Sequence, residues 1–311
     1  MNNFLYNYLS INRSRKLIAS LLSKIKLDSA LLSCVHLYHS NNIIRAINYH
    51  YTPFPCALNF EHQLQLFRQY FSNVLMADLD NFYEEKHWSK PKPGLLISFD
   101  DGLSSNYHIA APLLEKYGFT GWFFIVPDFI SCPEAEQEEF ARDHFINYYK
   151  QGGDQTPLAM SWKEIIDLDK RGHVIGSHTK THLRMGGQSS KDTIEKEVFQ
   201  SKCVLQGKLG HEIDVFAWVG GEIEHYNPTT AQCIKQAGYK YSFMTNSALI
   251  HPTTDPFQMR RTEMEAWWPL DVVTFQLCGI VDLLYYSKVR YVRNLTNVRL
   301  EKENFEGGSG G

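Results

Sequence analysis

The chain predicts an α/β fold built on a parallel barrel, and three observations carry that reading. Apolar runs of strand length alternate with segments whose apolar residues recur at helical spacing, as repeated strand-then-helix units require. One run, Leu95-Leu96-Ile97-Ser98-Phe99, stops at Asp100-Asp101-Gly102. A buried strand would thus deliver two carboxylates to its C-terminal edge, where α/β folds place chemistry. At 311 residues the chain can bury one barrel-sized core, and the regular spacing of its units favours one domain over two.

Taken in order, residues 1–42 form a helical extension, 43–300 the barrel, and 301–311 a Gly-rich, linker-like tail. In the extension, Leu17, Ile18, Leu21, Leu22 and Ile25 recur at helical spacing, and every charged residue before Asp28 is basic. Two readings stay open: a helix packed on the barrel, or a basic amphipathic helix resting on an anionic membrane. Residues 43–49 read as the first strand, ending in Tyr49-His50. A helix over 59–70 follows, with Phe60, Leu64, Phe67 and Phe71 on its core face. Lys90-Pro91-Lys92-Pro93-Gly94 breaks the chain before the Asp-Asp-Gly strand. Ser104 or Ser105 caps the next helix, which stops at Gly118, and Pro112 must sit early in it or kink it.

Residues 120–126 form a buried strand. Between Pro127 and Pro157 lies an insertion carrying Glu134, Glu136, Glu138, Glu139, Tyr148 and Tyr149, which either covers a site or forms a solvated helix. Ser161-Trp162-Lys163-Glu164 has capping-box spacing, and Gly172 ends the helix it opens. Strands are expected at 173–177, 214–218, 239–245 and 258–264, with helices at 193–209 and 229–237. A single apolar helix over 270–286 comes next. Lys288, Arg290, Arg293 and Arg299 then read as a solvated basic terminus.

Two stretches carry chemistry. Asp100-Asp101-Gly102 alone fits an ordinary turn. Gly176-Ser177-His178-Thr179-Lys180-Thr181-His182, after the apolar Val174-Ile175, brings two imidazoles to one side of a turn. Together with one of the acids they complete a three-ligand site with an open position for water. The other acid is left for proton transfer, since adjacent strand side chains point to opposite sides.

Phe99-Asp100-Asp101-Gly102 followed by the Gly176 to His182 stretch resembles the first two motifs of the polysaccharide deacetylases, the NodB-homology or carbohydrate esterase family 4 enzymes. The resemblance runs from about residue 43 to 265, through Asn48-Tyr49-His50, Phe60 to Leu64, Ala111 to Leu114, Gly121 to Phe124, Trp162 to Gly172 and Phe216-Ala217. It implies an irregular (β/α)7 barrel, NodB-like, with the N-terminal helical segment added to it. It also implies a divalent metal on Asp101, His178 and His182, and Asp100 as the base. Zinc is the default, with nickel, cobalt or iron also fitting two imidazoles and one carboxylate. The family's third motif is altered here to Ala217-Trp218-Val219-Gly220-Gly221-Glu222, which leaves Gly220 as the candidate backbone donor to the oxyanion. The arginine that orients the catalytic acid is missing upstream of that segment. Arg261 is the candidate replacement, a structural salt bridge being its other reading. No histidine follows His251, so the acid that protonates the leaving group is open between His50 and His251.

The function implied is removal of an N-acetyl group from an amino sugar of a bacterial surface polysaccharide, an O-antigen or capsule, or of its lipid-linked precursor. A related amide hydrolase, such as a sugar deformylase, and a non-catalytic sugar-binding relative are the alternatives. A net charge of -3 and 43% hydrophobic residues argue against disorder and against nucleic-acid binding. The six cysteines lie far apart, without the spacing of a disulfide framework, and read as reduced, mostly buried thiols. With no bilayer-spanning run and no signal-peptide pattern, the expected location is cytoplasmic, with peripheral attachment to the inner membrane face if the N-terminal helix binds lipid.

Overall fold

The computed structural model describes residues 13–148 and 156–298. Among the described residues there are eight parallel strands: β1 (Ile44–Tyr49), β2 (Ser72–Asn73), β3 (Gly94–Phe99), β4 (Gly121–Ile125), β5 (Val174–Ser177), β6 (Val215–Ala217), β7 (Tyr241–Met244) and β8 (Met259–Glu263). Because β1 pairs with both β3 and β8, seven of them close into a barrel. The two-residue β2 is a fragment beside the start of β3, tied to β4's entry by Asn73 and Thr120. The barrel is irregular: β1 matches β3 residue for residue from Ile44↔Gly94 to Tyr49↔Phe99, whereas β5 and β6 share one pair, Ser177↔Phe216. A (β/α)7 barrel is therefore the architecture.

The two-residue period of each strand sorts its side chains between two cores. Ile44, Ala46, Leu96, Trp122, Phe124, Val215, Phe243 and Met259 fill the interior. Ile47, Tyr49, Leu95, Ile97, Phe99, Phe123 and Phe216 face the surrounding helices with Phe60, Leu64 and Phe67. Interior space is tight at Gly176, where a Cβ would lie 2.6 Å from both the Phe124 ring and Val215. Continued to the strand ends, the same parity sends Ser98, Asp100, Gly176, His178 and Arg261 toward the barrel mouth.

Most helices stand where periodicity places them, with physical differences at a few. The helix after β3 runs to Gly118 (φ 75°), but Pro112 falls in its middle. The turn before it, Asn106–Ala110, widens to π geometry, which accommodates the donor that proline lacks. Ser105 makes no cap there; its hydroxyl accepts the Thr52 N–H. Ser161 and Glu164 form the capping box as expected. The stretch 270–286 is two helices, Leu270–Leu277 and Ile280–Thr296, bent by 49° at Gly279, whose φ of 88° breaks the run. The second helix carries Lys288, Arg290 and Arg293, so these residues are helical rather than a solvated tail, and Arg299 lies outside the described residues. A helix at Met76–Glu84 and the fragment β2 had no sequence signal. In the insertion, Glu134, Glu136, Glu138 and Glu139 face water while Phe145 and Asn147 reach the barrel mouth, so each reading holds for part of it. Tyr149 lies outside the described residues. All six cysteines are free, with Cys56, Cys233 and Cys278 buried.

The N-terminal extension forms helices Arg13–Lys24 and Leu27–Tyr38, which pack on Leu270–Leu277. Only Ala19, Leu22, Leu31 and Leu32 of their apolar residues join the core.

Candidate active site

A cleft of about 420 Å³ opens at the C-terminal mouth of the barrel and contains His50, Asp100, Asp101, His178, His182 and Gly220. Its floor is set by strand parity. Asp100 extends the inward row of β3, and its N–H continues the ladder by donating to Tyr49 O. Arg261 extends the inward row of β8 and is wholly buried. The two meet in a bidentate pair, Nη1 to Oδ1 at 2.5 Å and Nη2 to Oδ2 at 2.9 Å. Ser98 Oγ accepts a further bond from the guanidinium at 3.1 Å, and the Phe124 ring lies 5.1 Å from its centre. Burial alone would raise the Asp100 pKa, but Arg261, then His178 and His50, hold it below the ordinary carboxylate value.

Asp101 turns the other way. Its φ of 75°, a left-handed value uncommon for a residue with a Cβ, swings its carboxylate toward the end of β5. Thr179 (φ 64°) and His182 (φ 65°) show the same backbone, which folds the histidine motif into a tight turn. Glu197, buried in the helix that follows, holds that turn by accepting the N–H groups of Lys180 and Thr181 and the Thr181 hydroxyl. The result brings His178 Nε2 to 3.6 Å and His182 Nε2 to 3.1 Å from Asp101 Oδ1.

The opposite ring nitrogens are committed. His178 Nδ1 donates to Ala217 O at 2.9 Å, and His182 Nδ1 donates to His144 O at 2.5 Å. In the neutral rings both Nε2 atoms therefore present lone pairs to a carboxylate, an arrangement that calls for a cation between them. Asp101 Oδ1 is in fact buried without a hydrogen-bond partner. The three ligand atoms lie within 4.8 Å of one another, so the donor set fits a divalent metal with two imidazoles and one carboxylate. Burial lowers His178 to about 4, whereas Asp101 outweighs burial at His182 and raises it. Burial would raise Asp101, but His182 leads the neighbours that hold it well below the usual range.

His50 stands at the cleft mouth with Nε2 3.9 Å from Asp100 Oδ2. His251 is far from it. Ile250 pairs with Ile44, at the opposite end of β1, and the His251 ring lies against His39 there, tilted, with centroids 4.9 Å apart, which removes it from the candidates. Gly220 adopts φ 78° on the cleft wall, and a Cβ there would lie 2.3 Å from His225 Nδ1. His225, Arg184, Glu263, Tyr285 and Lys288 also line the cleft. Glu263 ends β8, in a stretch the sequence marks as a strand, whereas Arg184, His225, Tyr285 and Lys288 come from loops and helices distant in sequence and carry no motif of their own.

A polysaccharide deacetylase family model matches residues 88–242. The Bacillus subtilis protein YxkH, assigned by name to the polysaccharide deacetylases, is 24% identical over 151 residues, 49% of this chain and 44% of that protein. This chain thus spans less than half the length of that relative. The poly-β-1,6-N-acetyl-D-glucosamine N-deacetylase of Staphylococcus aureus is 21% identical over 246 residues, 76% of this chain and 79% of its own. Among solved structures, the Streptococcus pyogenes deacetylase PplD superposes with a TM-score of 0.60 at 18% identity, covering 76% of this chain and 98% of that one, which establishes the shared fold. The chain belongs to the polysaccharide deacetylase family.

Two outcomes follow from the geometry. After chelation and refilling, metal analysis is expected to show close to one equivalent of divalent metal, lost in the His178→Ala, His182→Ala double variant; unchanged content would remove the site. Arg261→Met strands a buried carboxylate and is expected to cost about 3–5 kcal/mol in denaturant unfolding. Adding Asp100→Asn should recover part of that loss, and strictly additive effects would show that the two groups are not coupled.

Proposed function

We propose that the protein is a metal-dependent deacetylase that removes an N-acetyl group from an amino sugar of a bacterial surface polysaccharide, an O-antigen or capsule, or of its lipid-linked precursor. The observation that carries this reading is the Asp100–Arg261 pair beside the ligand triad. Binding a sugar needs no ionised carboxylate kept dry next to a metal site, whereas hydrolysis does. Relatives named for N-deacetylation of a polysaccharide support the same bond class. The lipid-linked form of the substrate fits a protein working in the cytoplasm at the inner face of the membrane, which is the location we propose.

Asp101, His178 and His182 would hold the metal, zinc by preference for this ligand set. When bound, it would lower the pKa of a water and polarise the acyl oxygen. Asp100, kept ionised by Arg261, takes the proton of the attacking water. The Gly220 N–H is assigned to the developing oxyanion. His50 delivers a proton to the departing amine, so the C–N bond breaks to leave a free amino sugar and acetate.

Asp100→Asn is expected to keep its metal and lose about 10²–10⁴-fold in deacetylation. Near-parental turnover would move the base elsewhere. His50→Ala should depress kcat/KM on an N-acetyl sugar far more than on an aryl acetate, whose leaving group departs without a proton. Equal losses on both substrates would show that His50 only positions the substrate, and a selective amide loss in His225→Ala would transfer the role there.

A further inference from the structure

The helix Arg13–Lys24 is mounted with its apolar stripe facing outward. Ala19 and Leu22 pack on the core, yet Leu17, Ile18 and Leu21, which share one helical face, are 64%, 46% and 61% exposed, and Ile25 in the turn that follows is 69% exposed. Beside it, the helix Ile280–Thr296 leaves Leu283 and Leu284 75% and 65% exposed, with Tyr286 and Tyr291 also outward. The two helices approach each other where Arg15 comes within electrostatic reach of Tyr285. Exposed leucines clustered on neighbouring helices are unusual for a surface that meets only water.

Charge selects the occupant. The first helix has no acidic residue, and Lys24 and Lys26 at its end are exposed. The second carries Lys288, Arg290 and Arg293 against a single acid, Asp282, which is consumed by a bidentate pair with buried Arg45 at 2.7 and 2.8 Å. Asp28 in the neighbouring helix is buried. Lys288 turns to the cleft and pairs with Glu222 at 4.0 Å, which leaves Lys24, Lys26, Arg290 and Arg293 as the cations beside the apolar residues. That combination matches an anionic lipid surface, where leucines enter the acyl boundary and lysines and arginines meet headgroups. Among the described residues no single helix is long and apolar enough to cross a membrane. Tyr285 and Lys288 of the same helix line the catalytic cleft.

We propose that the outward faces of Arg13–Lys24 and Ile280–Thr296 dock on an anionic membrane and hold the cleft at its surface. This deepens the proposed function by naming the surface through which a lipid-linked substrate is met, and it rests on that reading only for the substrate. Full-length protein should float with vesicles of phosphatidylglycerol and phosphatidylcholine, much less with phosphatidylcholine alone, and release at high salt. Leu21→Glu with Leu284→Glu should lower partitioning about tenfold or more, each leucine withdrawing a fully buried side chain's transfer energy. Lys24→Glu with Arg290→Glu should weaken anionic binding without touching the apolar strip. Both variants should retain the parental unfolding midpoint and the parental rate on a soluble N-acetylated oligosaccharide. Absence of vesicle binding, binding indifferent to both variants, or a dimer that the leucine substitutions dissociate would overturn the proposal. Vesicle binding by a protein inactive on every acetylated sugar would instead count against the proposed activity alone.

Discussion

An arginine that never meets water sits under the candidate catalytic carboxylate, and the working state of the site depends on it. Asp100 is buried deeply enough that, unaccompanied, it would take up a proton and cease to be a base. Arg261 prevents this from β8, which flanks β1 on the side opposite β3. Barrel closure is therefore an electrostatic requirement as well as a topological one. The pair also depends on register: a one-residue slip of β8 would turn Arg261 outward and bring Arg260 or Thr262 into the mouth.

The second constraint lies in the backbone. Asp101, Thr179 and His182 occupy left-handed conformations, and two carbonyls, from Ala217 and His144, fix the rotation of the imidazoles. Glu197 ties off the turn between the histidines. Three ligands from two strand ends are thus aimed at one point, each orientation fixed by bonds to the protein's own backbone and side chains.

Local features were legible in the sequence. The strand stopping at Asp100 and Asp101, the His178–His182 spacing and the capping box at Ser161 each depend on residues a few positions apart, and each is found in the fold. Arg261 was legible as a candidate because it stands in a strand pattern, but its partner became visible only once β8 and β3 were set about β1. Features resting on distant residues were not legible. Glu197, His225, Tyr285 and Lys288 reach the site from helices and loops with no motif of their own. The break at Gly279 was hidden because the apolar pattern continues through it. Periodicity also showed that Leu17, Ile18, Leu21 and Ile25 form a stripe, but not that this stripe faces away from the barrel, since a pattern records which residues share a face and not what that face meets.

The most direct measurement is of both products of one cleavage, acetate and free amine, from a soluble N-acetylglucosamine oligomer incubated with metal-free and metal-refilled protein. The expected result is equimolar acetate and amine from the refilled protein and almost none from the metal-free form, with activity proportional to metal bound up to one equivalent. Equal release by both forms, or acetate without a matching amine, would contradict a metal-dependent N-deacetylase.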